Sequence, residues 1–245
     1  MGGLGHIGGF SMNQNVEFEF VPRNEAKPCR QELEAIIKKV QNFCKEKDKS
    51  FTFQFYLVGS QNRHLVTRIK NGNLGYDFDY NLSLNCEDGY FWKPKYARKL
   101  IFDALQESIK GTLFNKIENS TSVITIKCVK KNKIIVSCDF SIIYYPDDQD
   151  DDYYKYVRFN KNQGDFTWEE RKLSRNIDDK LDWLNTNVDG YWDEIKSEYL
   201  KLKDSNKDPN KYSFVLYYET ICNLFNHYYY QIYQSVNEEY DDDDD

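Results

Sequence analysis

The fold of this chain is decided by residues 57–60, LVGS, and residues 76–80, YDFDY. The first motif closes an apolar and aromatic run that starts at residue 51, which predicts a strand leading into a tight turn at Gly59 and Ser60. Residues 76–85 alternate between apolar and polar side chains, which predicts a strand with one buried face and one polar face. Asp77 and Asp79 both lie on the polar face.

These two acids have the spacing that a pair of divalent cations requires. One strand residue separates them, so their carboxylates project from the same face about 6 to 7 Å apart. Divalent cations of this kind prefer oxygen ligands, and two of them can neutralise a triphosphate while an acceptor hydroxyl is activated. Asp77 and Asp79 are therefore predicted metal ligands and catalytic residues.

Asp139 is the predicted third acid of the site. Residues 133–145 predict another strand, in which Asp139 lies among small polar residues opposite an apolar face. There it would help to hold the metal and accept the proton of the acceptor. An acid inside a strand is disfavoured by propensity. Bound cations would explain all three acids, and ordinary hydrogen bonding on a solvent-facing strand is the alternative explanation.

Gly59 and Ser60 are predicted to bind phosphate. A glycine after a buried strand lets backbone N–H groups come close to a phosphate, and a serine at the start of a helix can donate its hydroxyl. Four cationic residues nearby in the sequence are further candidates for phosphate contacts: Arg63, Arg68, Lys70 and Lys95. We interpret each of them as an exposed surface charge.

The remaining patterns indicate an α/β fold, with a mixed sheet and flanking helices followed by a helical region. Helical spacing of apolar residues predicts helices at residues 31–47, from Pro94 onward, and at 169–184, 191–202 and 212–236. Strands are predicted at 122–129 and 133–145, joined by a hairpin turn, and an edge strand at 153–159.

Composition limits the partners of the protein. The net charge of −7 argues against an extended nucleic-acid surface, which needs clustered Lys and Arg. The acidic runs at 147–152 and 241–245 are predicted to be solvated. Six scattered cysteines without a C-x-x-C pair argue against a zinc site and suggest a reducing compartment. With no membrane span or secretory signal in the sequence, we expect a soluble, cytoplasmic protein.

At residues 31–145 the chain resembles the nucleotidyltransferases of the DNA polymerase beta superfamily, whose pattern is Gly-Ser, then Asp-x-Asp, then an acid on a later strand. By that resemblance Gly59 and Ser60 would bind a nucleoside triphosphate. Asp77 and Asp79 would coordinate two Mg²⁺ ions, which Mn²⁺ could replace, and Asp139 would complete the site. The sequence departs from the pattern in the sixteen residues between Ser60 and Asp77, more than is usual.

The sequence patterns divide the chain into four segments: an N-terminal arm at residues 1–30, a catalytic domain at 31–160, a helical C-terminal domain at 161–236 and an acidic tail at 237–245. The resemblance implies transfer of a nucleoside monophosphate to a hydroxyl with release of pyrophosphate. For the acceptor we favour a small molecule such as an antibiotic, then a protein or a tRNA, or a second nucleotide. The rival interpretations are a catalytically silent module that senses a nucleotide or a partner protein, and an unrelated scaffold.

Overall fold

A computed structural model describes residues 16–72, 74–86, 92–146, 153–172, 177–208 and 211–241. The chain divides into two compact units, residues 1–173 and residues 174–245. The predictions made for the start of the N-terminal arm, the acidic run at 147–152 and the last four residues of the tail lie outside the described residues. No helix in the described part is long and apolar enough to cross a membrane.

The first unit contains the strands and three of the helices. In chain order they are β1 (Phe18–Phe20), α1 (Arg23–Lys47), β2 (Phe53–Val58), α2 (Gly59–Asn62), β3 (Thr67–Ile69), β4 (Tyr76–Leu84), α3 (Pro94–Ser108), β5 (Lys116–Asn119), β6 (Val123–Lys130), β7 (Lys133–Tyr144), β8 (Tyr153–Asn160) and β9 (Asp165–Lys172). The second unit contains α4 (Asp178–Asn187), α5 (Tyr191–Ser205) and α6 (Ser213–Asp241).

The main sheet is mixed, as the sequence predicts. Its strands follow the order β2, β4, β7, β6, β5, and β8 joins β7 and pairs with β9. β4 and β7 run parallel, whereas β2 is antiparallel to β4 and β6 is antiparallel to β7. The predicted fold class, an α/β protein with flanking helices and a helical C-terminal region, is confirmed.

One face of the sheet is buried against α1 and α3. Leu33 and Ile36 of α1 and Ile101 of α3 are almost wholly buried, and Phe78 of β4 and Phe140 of β7 belong to the same core. Burial of an aliphatic or phenyl side chain contributes about 1.5–3 kcal/mol. Because side chains alternate along a strand, this core fixes the polar residues of β4 and β7 on the opposite face.

The second unit is helical. Leu184 of α4, Ile195 and Tyr199 of α5, and Ile221 of α6 are buried. The rings of Trp183 and Phe225 meet edge to face with centroids 5.0 Å apart. The predicted helices at 191–202 and 212–236 are confirmed, and α6 continues five residues beyond the predicted end, to Asp241.

Three other expectations differ from the structure. The predicted helix at 169–184 is wrong at its start, because residues 169–172 belong to β9, and 173–176 lie outside the described residues. The predicted domain boundary at 160/161 falls inside the β8–β9 hairpin, whose strands both belong to the first unit. The arm predicted at 1–30 contains β1 and the first turns of α1, which begins at Arg23 although Pro28 lies inside it.

Gly75 should be required for the pairing of β4 with β7. A Cβ atom at this position would lie 1.9 Å from the carbonyl oxygen of Ile135, so Gly75→Ala has to separate the two strands. We expect a loss of about 1–3 kcal/mol in the free energy of unfolding, as for other overpacked sites, measured by urea denaturation. Thr167→Ala, on the peripheral strand β9, is the control. A Gly75→Ala protein as stable as wild type would contradict the close approach.

Candidate functional site

The parallel register of β4 and β7 brings the predicted acids together. Asp79 lies opposite Asp139, and Asp77 lies opposite Ser137. On the other side of β4, Val58 is opposite Asp79, so the Gly59 turn starts beside the same carboxylate. Neighbouring strands are about 4.8 Å apart. The structure therefore places all the predicted site residues at one end of the polar face of the sheet.

Gly59 leaves room for the carboxylate of Asp79. Its φ of 70° lies in the left-handed region that favours glycine. A Cβ atom at this position would lie 2.3 Å from Oδ2 of Asp79. Ser60 follows in α2, the single helical turn that leaves the sheet here. The tight turn predicted at Gly59 and Ser60 is confirmed, and no side chain other than hydrogen fits at Gly59.

Burial and neighbouring negative charge raise the pKa values of Asp79 and Asp139. Burial, followed by the negative charges of Asp139 and Asp77, raises the pKa of Asp79 to about 7, against the weaker effect of Arg63. Burial also raises the pKa of Asp139 to about 6, with the hydrogen bond from Thr125 opposing it and the charge of Asp77 adding to it. The carboxylates lack enough positive charge to balance them, and a cation would supply it.

Two hydroxyl groups form hydrogen bonds with Asp139 and Asp77, the outer two of the three acids. Thr125 Oγ1 donates a hydrogen bond of 2.6 Å to Oδ1 of Asp139, and Ser137 Oγ donates to Oδ1 of Asp77. As the side chains stand, no three His, Cys, Asp or Glu residues in the described part of the chain are arranged to hold one ion together. The donor chemistry nevertheless fits a divalent cation, because three crowded carboxylates offer oxygen ligands with unbalanced charge.

Three of the four cationic residues that were interpreted as surface charges form ion pairs of their own. Arg68 forms ion pairs with Glu19 and Glu25, and Lys70 pairs with Glu17. Lys95 lies 3.4 Å from a carboxylate oxygen of Asp165. These three cations have local surface partners, in agreement with their interpretation as surface charges.

Arg63 lies at the site, and its interpretation from the sequence as an exposed surface charge missed this position. Its Nη1 donates a 3.1 Å hydrogen bond to the carbonyl oxygen of Gly59, and its charge lowers the pKa of Asp79. The sequence offers one signal for it, the spacing of four residues from Gly59 that a helical turn brings together. Thr125 was missed as well, because only the pairing of β6 with β7 places it opposite Asp139.

Solved structures share this fold at low sequence identity. The structure of DncV from Vibrio cholerae with 3'-deoxy ATP matches with a TM-score of 0.57 and 14% identity, over 87% of this chain and 70% of DncV. DncV, a cyclic AMP-GMP synthase, with the linear intermediate pppA(3',5')pG matches at 0.54 and 14%, over 83% and 67%.

A third match is the CD-NTase CdnG of Bradyrhizobium diazoefficiens in complex with GTP, with a TM-score of 0.45 and 14% identity, over 64% of this chain and 40% of CdnG. The chain thus spans 40% to 70% of the length of these three proteins. No protein-family model and no curated protein sequence matches it. Likeness at this identity shows a shared fold, and function has to be argued from the site.

Without divalent cations, Asp79→Asn should stabilise the protein. The folded pKa of about 7 exceeds the value of roughly 4 in an unfolded chain. Ionised Asp79 therefore destabilises the native state most above pH 7, and this cost shrinks as the pH falls. We expect the Tm of the variant in EDTA to exceed that of wild type by a few degrees at pH 8, and the difference to narrow at pH 5.

The matched control is Asp103→Asn, which removes an exposed carboxylate that pairs with Lys99 on α3. This variant should show no increase in Tm at pH 8. An Asp79→Asn protein that is less stable than wild type at pH 8 in EDTA would show that the charge of Asp79 is balanced in the native state.

Proposed function

We propose that this protein is a Mg²⁺-dependent nucleotidyltransferase, which transfers a nucleoside monophosphate from a triphosphate such as ATP to a hydroxyl and releases pyrophosphate. One observation carries this proposal: Asp79 and Asp139 face each other on adjacent parallel strands, directly beside the Gly59 turn. This arrangement supports the proposal because the Gly59 turn, which would bind phosphate, and carboxylate oxygens, which would bind the metal ions, lie within one strand spacing of each other.

The triphosphate would bind at the turn. Backbone N–H groups of Gly59 and Ser60 would face its phosphates, and the Ser60 hydroxyl would donate to a phosphate oxygen. Arg63 supports this turn from the other end of α2 through its bond to the Gly59 carbonyl. The positive charge of its guanidinium also favours a polyanion at this position.

The three acids would bind the cations and prepare the acceptor. Asp77 and Asp79 would hold both Mg²⁺ ions, and Asp139 would complete the set. Bound there, the ions supply charge neutralisation and a lowered pKa for the acceptor hydroxyl. The acceptor oxygen attacks the α-phosphorus, the bond between that phosphorus and the bridging oxygen of pyrophosphate breaks, and Asp139 takes up the acceptor proton.

Two small acceptors are supported by specific observations. The negative net charge and the three acids favour a cationic hydroxyl compound, such as an aminoglycoside antibiotic. The shared fold with DncV, whose structure holds a linear dinucleotide intermediate, favours a second nucleotide. A protein hydroxyl or a tRNA end is a weaker option, because the acidic balance of the chain provides little attraction for tRNA.

The three acids argue against the alternative of a catalytically silent module that senses a nucleotide. Sensing a nucleotide through the Gly59 turn does not require Asp77, Asp79 and Asp139 together. Burial, with the charge of neighbouring acids, raises the pKa of Asp79 and Asp139, so the charged forms are disfavoured. Metal-assisted transfer uses all three. The proposed activity therefore explains a feature of the site that sensing alone leaves unexplained.

Nucleotide binding should depend on Mg²⁺ and on Asp79. We expect one of ATP, GTP, CTP or UTP to raise the Tm of wild type when Mg²⁺ is present, since ligand at a hundred times its Kd stabilises by about 2.7 kcal/mol. Asp79→Asn should lose this increase. Pyrophosphate release in the presence of acceptor candidates should fall by more than about a hundredfold in Asp77→Asn and Asp79→Asn. Removing a residue that only supports a metal ligand already lowers metal affinity or activity roughly 10–100-fold, and these two residues are proposed to be the ligands themselves.

The control Asp103→Asn keeps wild-type nucleotide binding and turnover. If no triphosphate shifts the Tm of wild type with Mg²⁺, the nucleotide site itself is wrong. If a triphosphate shifts wild type and Asp79→Asn equally and no acceptor yields pyrophosphate, the protein is the silent module.

A further inference from the structure

We propose that Thr125 and Ser137 are positioning residues, which hold the outer carboxylates so that one oxygen of each stays available to the metal ions. This inference rests on the proposed function and assigns a role to two side chains outside the predicted acid set. Each is opposite an acid in the sheet, and each donates a hydroxyl hydrogen bond to it.

Thr125 supports Asp139 from the strand on the far side of β7. In the antiparallel register of β6 and β7 the two residues are direct partners, and the hydroxyl lies 2.6 Å from Oδ1 of Asp139. This bond engages Oδ1 of Asp139, which leaves Oδ2 available to a cation.

Ser137 supports Asp77 from the other direction. It lies opposite Asp77 in the parallel pair of β4 and β7, only 8% of its surface is exposed, and its hydroxyl donates to Oδ1 of Asp77. A buried hydroxyl that donates to a carboxylate oxygen is restrained by that bond. It fixes the orientation of an acid that is itself exposed.

Two of the three acids are therefore restrained by hydroxyl groups, since Thr125 and Ser137 donate to the Oδ1 atoms of Asp139 and Asp77. The third acid, Asp79, has its Oδ2 atom where a Cβ atom on Gly59 would be 2.3 Å away. A lysine or arginine could orient these acids equally well, but it would also neutralise them. A hydroxyl orients the carboxylate and leaves its negative charge for the cation.

The position of Thr125 is itself fixed by a buried arginine. Arg98 of α3 is 1% exposed and donates to the carbonyl oxygens of Ser120 at 2.8 Å and Val123 at 2.6 Å. Its Nε donates to Asn119 Oδ1 at 2.8 Å. These bonds close the turn between β5 and β6 two residues before Thr125, which sets where β6 begins along β7.

The test measures binding of Mn²⁺ to the full chain by electron paramagnetic resonance of the free ion, with no nucleotide added. Thr125→Val keeps the shape of the side chain and removes the hydroxyl, so we expect its Kd for Mn²⁺ to rise about 10–100-fold. Thr125→Ser keeps the hydroxyl and should bind as wild type does. Ser137→Ala should weaken binding in the same range, whereas Ser141→Ala, on the same face of β7, should not.

Equal Mn²⁺ affinity in wild type and Thr125→Val would overturn the role of Thr125. An equal loss of Mn²⁺ affinity in Thr125→Val and Thr125→Ser would overturn it as well, because it would indicate an effect of side-chain packing rather than of the hydroxyl. If Thr125→Val fails to fold, Ser137→Ala decides the proposal by the same measurement. Wild type that binds no Mn²⁺ overturns the proposed function together with this inference. Wild type that binds Mn²⁺ while Thr125→Val and Ser137→Ala bind it equally well overturns the positioning role alone.

Discussion

The structure of the site depends on the parallel pairing of β4 with β7, because this pairing sets Asp79 directly opposite Asp139. Two strands cannot be joined in parallel by a short turn, and here α3, β5 and β6 form the connection. The like charges of Asp79 and Asp139 repel each other, so other interactions have to stabilise the pairing of the two strands. The apolar faces of both strands, buried against α1 and α3, supply it at about 1.5–3 kcal/mol for each large side chain.

The balance between charge repulsion on the polar face and burial of the apolar face explains why the polar face combines acids with hydroxyls. A second apolar face would have made a more stable sheet, and basic partners would have removed the repulsion. Instead, Thr125 and Ser137 orient two of the acids without neutralising them, and the pKa values of Asp79 and Asp139 stay high. The face is stable enough to fold and still carries the charge that a cation requires.

The sequence predicts the parts of the site that are local and misses those that depend on pairing. Alternation along 76–85 identifies the acid face of β4, and the apolar run before Gly59 identifies the turn. The register that joins Asp79 to Asp139 links residues sixty positions apart, which no local pattern encodes. Residues 169–172 were predicted to start a helix, but they form the end of β9, because pairing with β8 overrides the local pattern.

The likeness to DncV and the geometry of the acids are independent arguments, and they differ in strength. A shared fold at 14% identity leaves the activity open, because one fold serves many functions. The acids say more. A module that needed only the fold would gain nothing from an acid at this position, since the raised pKa of Asp79 means that its charged form is disfavoured in the folded protein. The proposed binding of divalent cations to a triphosphate would give a physical use to this charge beside two other acids and the Gly59 turn.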